Sequence, residues 1–257
     1  MLKPELIAQT DALREKAAPI LERQVRDRPD DPKAWWNLAE NARQRGDLET
    51  AQTAAQTAKK LAPELNGPGS PAPHFWVSNF LTPDELEQIW NLATDPKAPF
   101  EKSTVSSGKV NRRASLVMYE ASIQPAIDLI LPKVHQQLPK ALDAFHLPRF
   151  QISREELQLT WHGDGHFFTP HIDSGGSYAS RRITFVYYFH REPKPYSGGD
   201  LILADLEGSS FTRLAPYHNR IVFFPSKCWH QVTKVSLESE DWLDGRFTLN
   251  GWLHERI

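Results

Sequence analysis

A histidine and an aspartate two positions apart, His171 and Asp173 in FTPHIDSGG, raise the question of what chemistry this chain can do. On a strand, side chains at i and i+2 leave the same face, so an imidazole and a carboxylate here point together into one space. Such a pair can share a metal ion. A further histidine, His230, ends a late strand-like run in NRIVFFPSKCWHQV. Two imidazoles and one carboxylate on one face of an ion, with the opposite positions open, suit Fe(II) and admit a co-substrate and dioxygen. The last strand-like run, GRFTLNGW, adds Arg246 and Thr248, again two apart and on one face. A guanidinium and a hydroxyl so placed can hold a carboxylate, the guanidinium through a bidentate pair. Taken singly these residues have ordinary readings: ten histidines make a chance His-x-Asp easy, and a lone arginine more often sits in a surface ion pair.

These residues need strands to aim them, and the sequence supplies strands from Phe150 onward. The runs LQLTWHG, FFTPHID, ITFVYYFH, GGDLILAD, NRIVFFPS, WHQVTKV and RFTLNGWLHE are short, aromatic or β-branched, and separated by turn residues. No helical run separates them, which favours a jelly-roll over a βαβ scheme. Ahead of them, PHFWVSNFL reads as a strand, and Thr82-Pro83-Asp84-Glu85 is a capping box opening a helix to about Asp95. A second helical stretch spans about Gln124 to Phe145, with Pro132 and Pro139 expected to kink or divide it.

The first sixty-odd residues are rich in Ala, Gln, Glu, Arg and Leu and show no strand alternation. Residues 32–65 match the tetratricopeptide pattern of a helical hairpin through Trp35, Leu38, Ala39, Ala42, Gly46, Leu48, Ala51, Ala55, Ala58 and Pro63. Residues 4–29 read as a degenerate preceding repeat. A Pro-, Gly- and Ser-dense linker, LAPELNGPGSPAPH, follows. The fold class is therefore α+β: a double-stranded β-helix (jelly-roll) core with flanking helices over 71–257, preceded by a tetratricopeptide-like segment over 1–70. One or two hairpins leave an apolar face uncovered, so the segment is expected to dock on the barrel, bind protein substrate, or join a homo-oligomer.

Hydrophobic content of 40%, charged content of 24% and a formal net charge of −2 describe an ordinary globular chain. No basic excess marks a nucleic-acid or membrane-surface binder. The pairs Arg112-Arg113 and Arg181-Arg182 read as solvated surface or substrate contacts. Cys228 is the single cysteine, no membrane span or signal-peptide stretch is visible, and the expected location is cytoplasmic. Cys228 and Trp229 read as outer packing, Phe247 and Trp252 as core.

In order along 75–257, the features quoted above resemble the 2-oxoglutarate and Fe(II)-dependent oxygenases of the prolyl 4-hydroxylase type. His-x-Asp, RITFVYYFH, the turn SGGDLIL, NRIVFFPS leading to the distal histidine, and Arg-x-Thr before Gly-Trp all occur in that family's order. The resemblance implies that His171, Asp173 and His230 bind Fe(II), while Arg246 and Thr248 grip the far carboxylate of 2-oxoglutarate. It further implies that Tyr188 adds a phenolic hydrogen bond there and that Thr184 and Leu201 line the pocket. In the lead-in WHGDGHFF, a tyrosine common in the family is replaced by Trp161 or His162, depending on alignment. His162 and His166 themselves read as turn or pocket-edge residues rather than ligands.

The implied activity consumes dioxygen and 2-oxoglutarate, releases succinate and carbon dioxide, and hydroxylates a substrate, with ascorbate as an accessory reductant. The carboxylate of Asp173 favours hydroxylation over halogenation, for which related enzymes carry a small residue there. The resemblance and the helical segment favour a prolyl or other side chain in a peptide or protein; a free amino acid or small metabolite is the alternative. A non-catalytic peptide-binding module, or a cupin-like metalloenzyme without 2-oxoglutarate, would have no need of Arg246 and Thr248 beside the histidines.

Overall fold

The alanine-rich N-terminal stretch folds as three helices, α1 (Pro4–Asp27), α2 (Pro32–Arg45) and α3 (Leu48–Leu61), in a computed structural model that describes residues 4–64, 71–103, 112–205 and 210–256. Asp31 caps α2 by accepting from the backbone N–H groups of Lys33 and Ala34, and Pro32 supplies a first-turn residue that needs no N–H partner. Gly46 ends α2 at φ 86°, the left-handed conformation that a side chain disfavours. Asp47 then caps α3. Ala34, Leu38, Ala39, Ala54 and Val25 share one small core, where short side chains let the helices approach. Residues 4–27 are one 24-residue helix, not the pair of helices that a preceding repeat would require. Of the linker, residues 65–70 lie outside the described residues.

The remaining elements follow in the order β1 (Phe75–Ser78), α4 (Pro83–Thr94), β2 (Glu101–Lys102), β3 (Arg113–Ala114), β4 (Leu116–Tyr119), α5 (Gln124–Ala144), β5 (Ile152–His162), β6 (Phe167–His171) and β7 (Arg181–Phe189). Then come β8 (Tyr196–Gly198), β9 (Leu201–Ala204), β10 (Phe211–Leu214), β11 (Arg220–Pro225), β12 (His230–Val232), β13 (Val235–Leu237) and β14 (Arg246–Glu255). Two compact units result: one spans Met1–Ala72 with Leu201–Ala215, the other Pro73–Asp200 with Pro216–Ile257.

In the first unit the antiparallel hairpin β9–β10 packs with the helices. Arg213 on β10 donates through Nη2 to both carboxylate oxygens of Asp11 at 2.8 Å and through Nε to the Gln44 carbonyl at 3.1 Å. Buried Arg43 of α2 reaches the Ser210 hydroxyl at 3.0 Å, and Ile7, Ile202 and Phe211 close a second small core. The hairpin β9–β10 is thus tied to α1 and α2 by both polar and apolar contacts.

The second unit is built on a seven-stranded antiparallel sheet, β1-β11-β7-β14-β5-β4-β2, faced by the smaller sheet β12-β6-β3. Strand alternation sorts its residues. Leu157 and Leu159 of β5, Phe185, Tyr187 and Phe189 of β7, and Phe247, Leu249 and Leu253 of β14 join one core with Ile89 and Ala93 of α4 and Ile130 and Val134 of α5. The intervening residues, among them Thr184, Tyr188, His162, Arg246 and Thr248, face the other way, between the sheets. The capping box at Thr82 and Glu85 is present. Helix α5 runs unbroken through Pro132 and Pro139, against the expectation of division. Both prolines lie on its exposed face, where water can solvate the carbonyls that lose an N–H partner. Strands β2, β3, β4, β8 and β10, too short for a periodic signal, are additions to the sequence reading.

Leucine at Ala54, which is 1% exposed between the N-terminal helices, is expected to overpack that core by about 1–3 kcal/mol. Urea denaturation of Ala54→Leu should show it, while Gln56→Glu on the exposed face of α3 leaves the midpoint unchanged.

Candidate active site

The inner strand of the small sheet and its neighbour bring the two distant histidines together. His171 ends β6 and His230 begins β12, and the two are direct antiparallel partners with ring centroids 4.1 Å apart. Each imidazole turns its Nδ1 toward a backbone carbonyl two residues earlier: His171 to Thr169 at 2.8 Å, His230 to Cys228 at 3.0 Å. Those carbonyls accept an Nδ1–H, which leaves both Nε2 atoms directed at Asp173. The His171 Nε2 to Asp173 Oδ1 distance is 3.5 Å, and His230 Nε2 to Asp173 Oδ2 is 3.3 Å. One ligand atom from each of the three residues lies within 4.8 Å of the others. Two fixed imidazole nitrogens and a carboxylate form a donor set that fits Fe(II) on one face.

Asp173 is held from behind. Its backbone N–H donates to Ser226 at 3.0 Å, and its Oδ2 accepts from the Thr184 hydroxyl at 2.9 Å. Thr184 in turn contacts the Ser226 hydroxyl, so the large sheet grips the carboxylate of the small one. Burial opposes the Asp173 charge, but His230 and His171 offset it and hold the carboxyl well below its usual range. Burial disfavours a charged His230 as well, yet Asp173 raises it above an ordinary histidine. Burial, followed by the neighbouring His230, lowers His171.

Deeper between the sheets, Arg246 is 2% exposed, and among the described residues no acid side chain pairs with it. Its Nε donates to the Gly199 carbonyl at 2.8 Å and its Nη1 to His162 Nδ1 at 3.3 Å, while its guanidinium carbon lies 5.2 Å from the Tyr188 ring centre. Gly199 sits at φ 69°, and a Cβ there would come within 2.6 Å of Arg246 Cδ. Around this cation the Tyr188 hydroxyl, Thr248 Oγ1, Tyr196 hydroxyl and His162 Nε2 are all buried without a satisfactory hydrogen bond. Burial pushes the Tyr188 phenol up to about 12, so it stays a neutral donor. A buried, unpaired guanidinium among unsatisfied donors fits an anionic carboxylate, which the protein itself does not provide.

The sequence of residues 157–254 matches the 2OG-Fe(II) oxygenase superfamily. These residues are a 2OG-Fe(II) oxygenase domain. A domain of this family works with Fe(II), 2-oxoglutarate and dioxygen, and the two donor sets described above fit the metal and the co-substrate. An uncharacterized PKHD-type hydroxylase of Synechocystis sp. is 36% identical over 196 residues, covering 73% of this chain; the chain spans 65% of that relative's length. A Pseudomonas putida prolyl-4-hydroxylase has the same fold, with a TM-score of 0.57 at 17% identity over 72% of this chain and 94% of that one. A prolyl hydroxylase from Trichoplax adhaerens, solved with a peptide fragment of hypoxia inducible factor, scores 0.54 at 16% identity over 72% of this chain and 84% of its own. At such identity the likeness is one of fold, the prolyl hydroxylase jelly-roll.

Within the oxygenase domain, the structure gathers His171, Asp173, His230 and Thr184 at one point and Arg246, Thr248 and Tyr188 at another. Leu201 is buried on β9 of the helical unit. Thr184, expected to line the co-substrate pocket, donates its hydroxyl to Asp173. Of the two aromatics in the lead-in, His162 faces inward, while Trp161 stacks on Trp242 at 4.0 Å and joins the outer core. Tyr196 was not singled out in sequence, for nothing in KPYSGG marks it. Arg181 is neither solvated nor free: it pairs with Glu156, lies between Tyr178 and Trp252 at 4.2 and 4.1 Å, and donates to the Asp173 carbonyl at 3.4 Å. Trp252 therefore serves as a platform for a cation, and Trp229 is 43% exposed rather than packed.

A second cluster, His190, Glu192 and His218, has ligand atoms similarly close. Both His190 nitrogens are taken, by the carbonyls of Arg191 at 2.7 Å and Pro216 at 3.1 Å, and His218 Nδ1 accepts from the His190 N–H. With His190 so engaged, the cluster does not offer two imidazoles to one ion.

In the metal-free protein the pair His230–Asp173 makes a signed prediction. Because the folded state raises His230, its contribution to stability is complete below its unfolded pKa of about 6.5 and is lost as pH rises through the folded value. His230→Gln is therefore expected to lower the melting temperature of apo protein more at pH 6 than at pH 9. An equal loss at both would place no proton between these groups.

Proposed function

We propose that this protein is a 2-oxoglutarate- and Fe(II)-dependent hydroxylase in which His171, Asp173 and His230 hold the metal, while Arg246, Thr248 and Tyr188 hold the far carboxylate of 2-oxoglutarate. The observation that carries the reading is the unpaired, buried guanidinium of Arg246 on the interior face that also looks toward the His-Asp-His cluster. Iron and 2-oxoglutarate, when bound, would supply the oxidising chemistry with dioxygen: one oxygen atom of O2 would leave in succinate as carbon dioxide is released, and the other would enter a C–H bond of the substrate.

The chain's own residues orient and shield. Thr184, Ser226 and the Asp173 carbonyl clamp by Arg181 keep the carboxylate aimed between the two imidazoles. The backbone carbonyls of Thr169 and Cys228 retain the Nδ1 protons, so both Nε2 lone pairs remain available. Burial of Arg246 keeps it from bulk water, which strengthens its grip on an anion.

A peptide is the substrate class we favour, with a prolyl or other side chain as target. Ile172, Tyr178 and Trp229, exposed and near the histidine cluster in sequence, are apolar side chains, two of them aromatic, of the kind on which extended, proline-containing segments dock. The helical unit, with Leu13 and Ile20 exposed on α1, supports a part in recognition or association. The single cysteine and the lack, among the described residues, of a helix able to cross a membrane accord with a cytoplasmic enzyme.

Anaerobic titration with Fe(II) and 2-oxoglutarate should give a metal-to-ligand charge-transfer band in the wild type. Arg246→Ala should weaken 2-oxoglutarate binding by about 2–5 kcal/mol, roughly 30- to several-thousand-fold, with iron affinity little changed. Unaltered 2-oxoglutarate affinity would sink the assignment. Succinate release stimulated by proline-containing peptides, and not by free amino acids, would select the peptide reading over a small metabolite.

A further inference from the structure

His162 closes β5 on the interior face, opposite Arg246 in the strand register, and is 3% exposed. Its Nδ1 lies 3.3 Å from Arg246 Nη1. A guanidinium has only N–H groups to offer, so Nδ1 must present its lone pair. The proton of the neutral ring then sits on Nε2. Burial, the Arg246 cation beside it and the more distant Arg113 all push this histidine well below its ordinary range, so a second ring proton is disfavoured. One tautomer is left, with Nε2–H as a neutral donor.

That donor has nowhere to go within the protein. Nε2 is fully buried and finds no acceptor among the described residues. Nor do its neighbours around Arg246 supply one, since the Tyr188, Tyr196 and Thr248 hydroxyls are unsatisfied in their turn. A buried N–H left without an acceptor costs about 1–3 kcal/mol. The ring is wedged at its other nitrogen by a charged group that is itself fixed by the Gly199 carbonyl, so it cannot turn away without releasing Arg246.

We infer that His162 is a co-substrate-binding residue with two duties: Nδ1 fixes the Arg246 fork, and Nε2–H donates to an oxygen of bound 2-oxoglutarate. The inference rests on the reading of the Arg246 pocket given above. It adds a neutral donor, so the pocket keeps a single positive charge and matches one carboxylate rather than two.

Two measurements on the full chain decide it. With Zn(II) in place of iron and 15N-labelled histidine, His162 should show an unprotonated Nδ1 and a protonated Nε2 from pH 6 to 8, and adding 2-oxoglutarate should shift the Nε2 resonance. In anaerobic Fe(II) titrations, His162→Phe should weaken 2-oxoglutarate binding at least tenfold without altering iron affinity, and His162→Gln, whose amide can replace Nε2–H, should recover most of it. If wild type binds 2-oxoglutarate and Arg246→Ala does not, yet His162→Phe binds like wild type and the Nε2 resonance ignores the ligand, the role of His162 is overturned while the pocket stands. A wild type that binds no 2-oxoglutarate overturns both.

Discussion

A guanidinium buried without an acid governs the interior of the oxygenase domain. Taking such a charge out of water costs several kcal/mol, so Arg246 must be forced into place by something stronger. The force is the register of β14, which lies between β5 and β7 along nearly its whole length. Shifting it by one residue would turn Phe247, Leu249 and Leu253 out of the core and Arg246 into it. Burying each of those three side chains contributes about 1.5–3 kcal/mol, and together they outweigh the cost of one desolvated cation. The hydrophobic face of the strand thus creates the electrostatic face, and the anion that completes it has to arrive from outside.

The same economy of alternation builds the metal site, with a different balance of charge. There the acid is present, and the opposing cation is what the chain lacks. In the metal-free protein Asp173 favours a proton on His230, and the two histidines hold the aspartate low. A divalent ion would replace that proton, so metal binding and deprotonation of His230 are linked. Thr184 bridges the sheets at this point: its hydroxyl ties the carboxylate of the small sheet to the large sheet that carries Arg246. Metal-side and carboxylate-side geometry are therefore both set from the large sheet, Thr184 on β7 and Arg246 on the neighbouring β14.

How much of this was legible in the sequence depended on range. His171 with Asp173 and Arg246 with Thr248 could be paired because two residues on a strand share a face whatever lies opposite. Which of Trp161 and His162 faces inward was not legible, since the glycines that follow obscure the phase, and only pairing with β14 resolves it: His162 meets Arg246 and Trp161 meets Phe247. The bond from Thr184 to Asp173 was not legible, because no local pattern reports a hydroxyl reaching across to another sheet. The pairing of Arg181 with Glu156 was not legible either, because the two lie on different strands. Pro132 and Pro139 looked disruptive, but their seven-residue spacing returns them to one solvated side of α5, where the missing N–H is least costly.

Long-range pairing also decides what the N-terminal helices are. A linker dense in Pro, Gly and Ser suggests a detachable module, and composition carries no sign to the contrary. Yet the hairpin β9–β10, contributed by the chain some 140 residues later, belongs to the helical unit through Arg43, Gln44, Asp11 and the apolar contact of Ile7 with Ile202 and Phe211. The chain enters that unit twice, and its second visit lies within the residues that match the oxygenase family. Removal of the helices would leave Ser210 and Thr212 without the Arg43 guanidinium that covers them and would strip Phe211 of the Arg14 side chain stacked on it at 4.9 Å. A segment whose loss uncovers an internal hairpin acts first as a structural partner of that hairpin, and any part it takes in recognition is exercised from that fixed attachment.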